Sequence, residues 1–160
     1  MEINNTKIKY RRVSIEDLEI LVDYRIRFLN EEDKHDKDKE TDLKEKLRKY
    51  FLRAIISNEF IGWLAEYNDR ILGTGGMVVW QMPGRYGFES GKLGCICNMY
   101  TVPEARRQGI STQLLTELIK EAKSLGLGGL HLRAHKDAIG IYRKAGFAEP
   151  YHLEMQLKLE

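Results

Sequence analysis

Two adjacent arginines precede a glycine in the segment Arg106-Arg107-Gln108-Gly109-Ile110-Ser111-Thr112. This segment stands between a predicted strand and a long predicted helix, so the arginines would lie at the amino terminus of that helix. Because a helix amino terminus already carries about half a positive charge, two cations there favour a bound anion. Backbone N–H groups would bind a phosphate, and Gly109 would let it approach closely. A solvated arginine pair on a loop is the alternative that this segment leaves open.

A second segment, Ala138-Ile139-Gly140-Ile141-Tyr142-Arg143-Lys144-Ala145-Gly146-Phe147, predicts a short helix that ends at Gly146. It places one phenol, that of Tyr142, on an amphipathic surface. Taken alone, a tyrosine in this setting is more often part of the core or its rim than a catalyst. The segment therefore gains a functional interpretation only together with the first one.

The elements that must position these segments alternate between strands and helices. A short edge strand leads to Ser14 and Asp17, whose spacing resembles a capping box and predicts a helix start. Helical and alternating apolar spacing then predicts two helices, three strands, a helix, a strand, a helix and a final strand. The predicted boundaries are a strand over 8–13, helices over 15–29 and 43–55, strands over 61–67, 71–80 and 93–102, a helix over 110–125, a strand over 130–134, a helix over 138–145 and a strand over 153–159.

The chain has 160 residues, of which 42% are hydrophobic and 31% charged, so we expect one globular domain over 1–160. A formal net charge of +2 argues against a nucleic-acid binder with a broad basic surface. We also expect no membrane partner, because no run of about 18 apolar residues occurs. Cys95 and Cys97 are too close together to form a disulfide scaffold, and the sequence begins without a signal-peptide pattern, so we expect a reducing, cytoplasmic location.

Together the two segments resemble the GCN5-related N-acetyltransferase (GNAT) family, which moves the acetyl group of acetyl-CoA to an amine. Arg106, Gly109 and Ser111 match the family's pyrophosphate motif Gln/Arg-x-x-Gly-x-Gly/Ala, with Ser at the last position. The stretch from Tyr142 to Phe147 matches its closing Tyr-x-Lys-x-Gly-Phe. The resemblance implies an α/β (α+β) fold with a mixed, mostly antiparallel central sheet flanked by about four helices.

The resemblance also implies how acetyl-CoA binds. Backbone groups of the central strand would pair with the pantetheine arm, and backbone N–H groups of the arginine segment would hold the pyrophosphate. His135 stands where the family often has an asparagine that contacts the cofactor. The predicted cofactor-binding residues are Tyr100, Thr101, Val102, Arg106, Arg107, Gln108, Gly109, Ile110, Ser111, Thr112, His135 and Tyr142.

By resemblance, Tyr142 is the general acid that protonates the leaving thiolate. Many family members use a glutamate as the base, but the strand over 93–102 contains no carboxylate. The predicted alternatives are a base acting through ordered water near Asn98, or His131 directly. Because no base is evident, a non-catalytic module that binds or senses acyl-CoA is the alternative function.

We expect the acceptor, a primary amine of a small molecule or peptide, to bind between the first helices and the loop before the central strand. Arg25, Phe28, Trp80 and Met82 are the candidate acceptor-binding residues. Such a lining favours an apolar or anionic amine over a polycationic one. We expect no metal, because His131 and the residue four positions later have no third ligand nearby. A homodimer is left open.

Overall fold

The computed structural model describes residues 3–32, 37–151 and 154–159. Five strands form one sheet in the order β1-β2-β3-β4-β5. The first four strands pair antiparallel and β4 pairs with β5 in parallel, so the sheet is mixed and mostly antiparallel, as predicted. The strands are β1 (Lys9–Arg12), β2 (Phe60–Tyr67), β3 (Arg70–Gln81), β4 (Lys92–Thr101) and β5 (Gly129–His131).

The four helices cover the two faces of this sheet, because each has one apolar face to bury. The helices are α1 (Leu18–Glu32), α2 (Glu40–Ile56), α3 (Ile110–Ser124) and α4 (Ile139–Lys144). On one face, α1 and α2 pack Leu21, Val22 and Phe51 with the β2 residue Phe60. On the other face, α3 and α4 pack against the β3 and β4 residues Met77 and Ile96. The sheet thus separates an α1–α2 side from an α3–α4 side.

The predicted capping box is confirmed, and a tight turn joins the predicted strands over 61–67 and 71–80. Ser14 and Asp17 form the capping box, and Asp17 also accepts two hydrogen bonds of 2.8 Å from the Arg11 guanidinium. Asn68 and Asp69 turn the chain between β2 and β3 with φ values of 48° and 59°. Positive φ at both central residues is the geometry of a tight hairpin turn, and Asn and Asp tolerate it better than most residues.

The prediction of a final strand over 153–159 is wrong for the part that the structure describes. Residues 154–159 form no regular secondary structure, and Met155, Leu157 and Leu159 are more than four-fifths exposed. Alternating apolar residues make a strand only where a neighbouring strand supplies hydrogen bonds, and residues 154–159 pair with none of the described strands. Residues 152 and 153 lie outside the described residues.

Candidate active site

A β-bulge interrupts the central strand β4 at Asn98. Gly76 pairs with Cys97 and Thr74 with Tyr100, so two residues of β4 lie opposite one residue of β3. Asn98 has a positive φ of 51°, and its carbonyl accepts a hydrogen bond of 2.9 Å from Thr74 Oγ1. A bulge bends its strand and redirects nearby groups, which is why bulges often lie next to active sites.

The side chain of Asn98 is well suited to bind a ligand. Asn98 is only 8% exposed, and its side-chain amide makes no hydrogen bond within residues 3–32, 37–151 and 154–159. The amide therefore keeps its hydrogen-bonding capacity for a bound molecule or water. Among the predicted base positions, Asn98 therefore has the geometry to hold a water at the bulge.

Beyond this bulge one edge of β4 is open. β5 pairs with β4 only at Leu93, Gly94 and Cys95, so the described residues provide no strand neighbour on that edge from Ile96 onward. An open edge can accept an extended ligand as an added strand. Two of the backbone groups predicted to pair with pantetheine already have a partner within the chain. The Val102 N–H donates to Leu72 O at 2.9 Å, and the Thr101 carbonyl accepts from Arg106 Nε at 2.9 Å.

The loop before α3 ends in a helix amino terminus that lacks a side-chain cap. Gly109 is the N-cap residue in the left-handed region with φ 79°, and Arg107 has φ 64°. A Cβ placed on Gly109 would meet no heavy atom within 4 Å, so this position faces open space. A helix start without a side-chain cap leaves N–H groups for another partner. The anion site at residues 107–112, which include Gln108, the buried Ile110 and the exposed Thr112, stays a prediction.

The two arginines of this loop differ in their surroundings. Arg106 forms an ion pair with Glu31 of α1, and its guanidinium lies 5.7 Å above the Tyr100 ring. The Tyr100 hydroxyl donates to the same Glu31 carboxylate at 2.8 Å. Burial, and secondarily Glu31, raises the pKa of Tyr100 to about 12. Arg107, in contrast, is exposed and contacts no partner in the part of the chain that the structure describes.

Two other predicted cofactor contacts point elsewhere in the structure. The Ser111 hydroxyl lies 2.9 Å from the Thr101 hydroxyl, so it faces β4 and does not extend toward the anion site. His135 is the N-cap of a short turn before α4, and its Nδ1 accepts a long hydrogen bond of 3.5 Å from Asp137 N. The roles of Ser111 and His135 as cofactor ligands remain predictions.

Tyr142 lies on α4 with its ring inside the core of the α3–α4 side. It is 9% exposed, and its ring packs edge-on against Phe147 at 5.9 Å between ring centroids. Burial raises the pKa of its phenol above the ordinary value of 10.0. The phenol makes no hydrogen bond within the described residues, so at neutral pH it is a protonated donor available to a ligand.

Two candidate acceptor residues, Trp80 and Met82, lie at or just after the end of β3, and the candidate base His131 lies beside Trp80. Val78 packs against the α1–α2 core, and Trp80 follows it by two residues, so both side chains face that side. Residues that lie opposite each other on neighbouring strands point to the same face of the sheet. Val78 lies opposite Cys95, and Cys95 lies opposite His131, so His131 faces the α1–α2 side too. The Trp80 and His131 rings lie 6.3 Å apart. Met82 continues as an exposed side chain just after β3.

Glu31 is a site residue that the sequence did not reveal. It belongs to the charged run over 31–40, which by composition is solvated and separate from the core. Its contacts to Tyr100 and Arg106 span 69 and 75 residues of sequence, and no local pattern indicates contacts over that distance. The run of acidic residues was the only available signal that a partner for the arginines existed within the chain.

None of the described helices is long and apolar enough to cross a membrane. Within the same residues, His, Cys, Asp and Glu side chains form no group of three or more suited to a metal ion.

The described residues thus combine a mixed sheet, a bulged central strand and an open strand edge. The acetyltransferase (GNAT) family model matches residues 11–147, and the chain belongs to that family. A protein of Clostridium acetobutylicum described as a predicted acetyltransferase, solved with acetyl-CoA, is 32% identical with a TM-score of 0.87, covering 95% of this chain and 96% of that one.

Less similar solved structures share the fold. A GCN5-related N-acetyltransferase of Ralstonia eutropha is 22% identical with a TM-score of 0.82, covering 94% of this chain and 98% of that chain. An aminoglycoside acetyltransferase from an uncultured soil metagenomic sample is 19% identical with a TM-score of 0.72, covering 98% and 99%. Comparison with curated protein sequences gives no match.

Proposed function

We propose that the protein transfers the acetyl group of acetyl-CoA directly to the primary amine of a small molecule or peptide, with Tyr142 as the general acid. The observation that carries the proposal is the protonated phenol of Tyr142, which has no hydrogen-bond partner among the described residues and lies in one core cluster with Ile96 of β4. The acetyl-CoA bound to the 32% identical Clostridium protein supports the donor. Backbone groups of residues 100–102 and 107–112 would hold it.

In this proposal the chain acts mainly by positioning and by proton transfer. Asn98 holds a water through which the proton of the attacking amine passes to solvent, and His131 is the alternative base. Tyr142 donates its proton to the sulfur as the carbon–sulfur bond breaks, which yields free CoA and the acetylated amine. Solvent then returns a proton to Tyr142. The open edge of β4 would orient the thioester beside the bulge at Asn98.

The test is a panel of small amines and peptides incubated with acetyl-CoA and the purified protein. Free thiol is measured continuously, and the acetylated product is identified by mass spectrometry. We expect thiol release that depends on both the enzyme and an amine, with product in equal amount. Thiol release at the same slow rate with and without every amine would contradict transfer.

The second candidate function is a module that binds acyl-CoA without catalysis. It is favoured by the absence of any carboxylate on β4. Tight CoA binding without amine-dependent turnover, in the same panel, would support this candidate. The cytoplasmic location and a homodimeric state both remain predictions, and size measurement in solution tests the latter.

A further inference from the structure

Arg25 is a half-buried arginine on the α1 face that covers the sheet. It follows Leu21 by four residues and Val22 by three, and both of these are buried in the core cluster that Cys97 packs against. Residues three and four apart share one face of a helix, so Arg25 lies one turn further along this face. Burial raises the pKa of the Cys97 thiol to about 12, and the nearby Arg25 charge opposes that rise. Arg25 therefore lies beside β4, close to the bulge.

The charge of Arg25 is not neutralised by any described residue. Its guanidinium lies 5.4 Å above the Phe28 ring and contacts no carboxylate within residues 3–32, 37–151 and 154–159. Of the other arginines, only Arg85 and Arg107 likewise lack an ion pair with a described carboxylate, and both are exposed. A half-buried cation without a counter-ion is unfavourable, and stacking on an aromatic ring offsets only part of that.

We infer that Arg25 binds an acid group of the acceptor, so that the substrate is an amine which also carries a carboxylate or a phosphate. The planar guanidinium forms paired hydrogen bonds with either group. Cys97 precedes the bulge residue Asn98, so an acid group on Arg25 would hold the amine of a small acceptor near the open edge of β4. This inference rests on the proposed function and specifies its substrate class.

The experiment compares each acid-bearing amine with a neutral partner of the same shape. An amino acid is paired with its primary amide, and a phosphorylated amino alcohol with the unphosphorylated compound. We expect kcat/KM to be about tenfold or more higher for the acid in at least one pair, since a hydrogen bond to a charged group contributes about 1.5–3 kcal/mol. The pair that shows the preference identifies carboxylate or phosphate. Equal kcat/KM within both pairs would overturn the inference.

Arg25→Gln should remove this preference by raising KM for the acid while kcat changes little. Arg25→Lys should restore part of it, because the charge returns without the paired geometry. Arg85→Gln is the matched control, because Arg85 also stacks on a phenylalanine, Phe88, and lacks a carboxylate partner in the described residues. It should keep the full preference. An unchanged preference in Arg25→Gln would overturn the inference.

A binding measurement separates this inference from the proposed function. Calorimetry on the CoA-saturated protein uses acetylated products as ligands, so no turnover is needed. One pair is an N-acetylated amino acid and its amide, and the other is an N-acetylated phosphorylated amine and its unphosphorylated form. If the protein binds an acid selectively and Arg25→Gln abolishes that binding, the role of Arg25 as the acid-binding residue is supported. This holds even if no amine is acetylated and the proposed function fails. If acetyl transfer occurs with no selectivity for the acid in binding or in kcat/KM, the proposed function stands and the inference about Arg25 is overturned.

Discussion

Replacing Tyr142 with phenylalanine tests the chemical step with little disturbance of the fold. The hydroxyl makes no hydrogen bond within the described residues, and the ring packs against Phe147. Tyr142→Phe therefore removes only the proton donor, and we expect the melting temperature to change little. A positioned general acid contributes about 10²- to 10⁴-fold, which is about 3–5 kcal/mol of transition-state stabilisation. We expect kcat to fall by that factor.

The assay measures kcat by thiol release with saturating amine, and CoA affinity by calorimetry. The affinity should stay nearly constant, because the phenol acts only as the sulfur leaves. The pH profile adds a second readout. Burial raises the pKa of Tyr142 above 10.0, so its acid form persists and kcat should decline only above pH 10. A folded Tyr142→Phe protein with unchanged kcat would refute the role of Tyr142, and so would an alkaline decline centred well below pH 10 that depends on this residue.

Four further substitutions test the anion loop and the stability of the fold. Gly109→Val should abolish CoA binding in calorimetry, because a branched residue is strained at φ 79° and would obstruct the approach of a phosphate; normal affinity would refute the loop assignment. Arg107→Gln should weaken CoA binding several-fold at low salt and leave the melting temperature unchanged. Arg106→Gln should lower the melting temperature, because it removes the contacts of Arg106 with Glu31 and with the Thr101 carbonyl. The reverse pattern would show that Arg106 is the phosphate ligand. Asp17→Asn should destabilise the fold by about 2 kcal/mol at pH 7. Arg11 holds the pKa of Asp17 below 3.8, so this stabilisation is present above that value and is lost as pH falls through the folded pKa. Thermal melts should show the two proteins converging as the pH is lowered below 3.8, and a difference independent of pH would exclude the ionised pair as the cause.

Local chemistry explains why most elements could be predicted from the sequence. The capping box at Ser14 and the hairpin turn at Asn68 and Asp69 depend on residues within a few positions of one another. The apolar stripe of α3 repeats within one helix, and its predicted and observed starts coincide at Ile110. Such features need no knowledge of the rest of the fold.

Features that depend on a distant partner were missed. The alternation over 153–159 predicts a strand, but residues 154–159 lack a strand neighbour in the described structure. The bulge at Asn98 arises because two residues of β4 lie opposite one residue of β3, which is a property of the pair of strands. Neither outcome follows from the residue types of one segment alone.

The arginine loop receives part of its negative charge from within the chain. Two cations at a helix amino terminus need negative charge nearby, and Glu31 supplies it for Arg106 from within the chain. Arg107 receives none from the described residues, so a phosphate of the donor is the natural counter-ion there. Arg25 likewise has no carboxylate partner among the described residues, and the anion that we infer for it belongs to the acceptor. If both assignments hold, raising the ionic strength should increase KM for acetyl-CoA and for an acid-bearing acceptor, and leave KM for a neutral acceptor nearly unchanged.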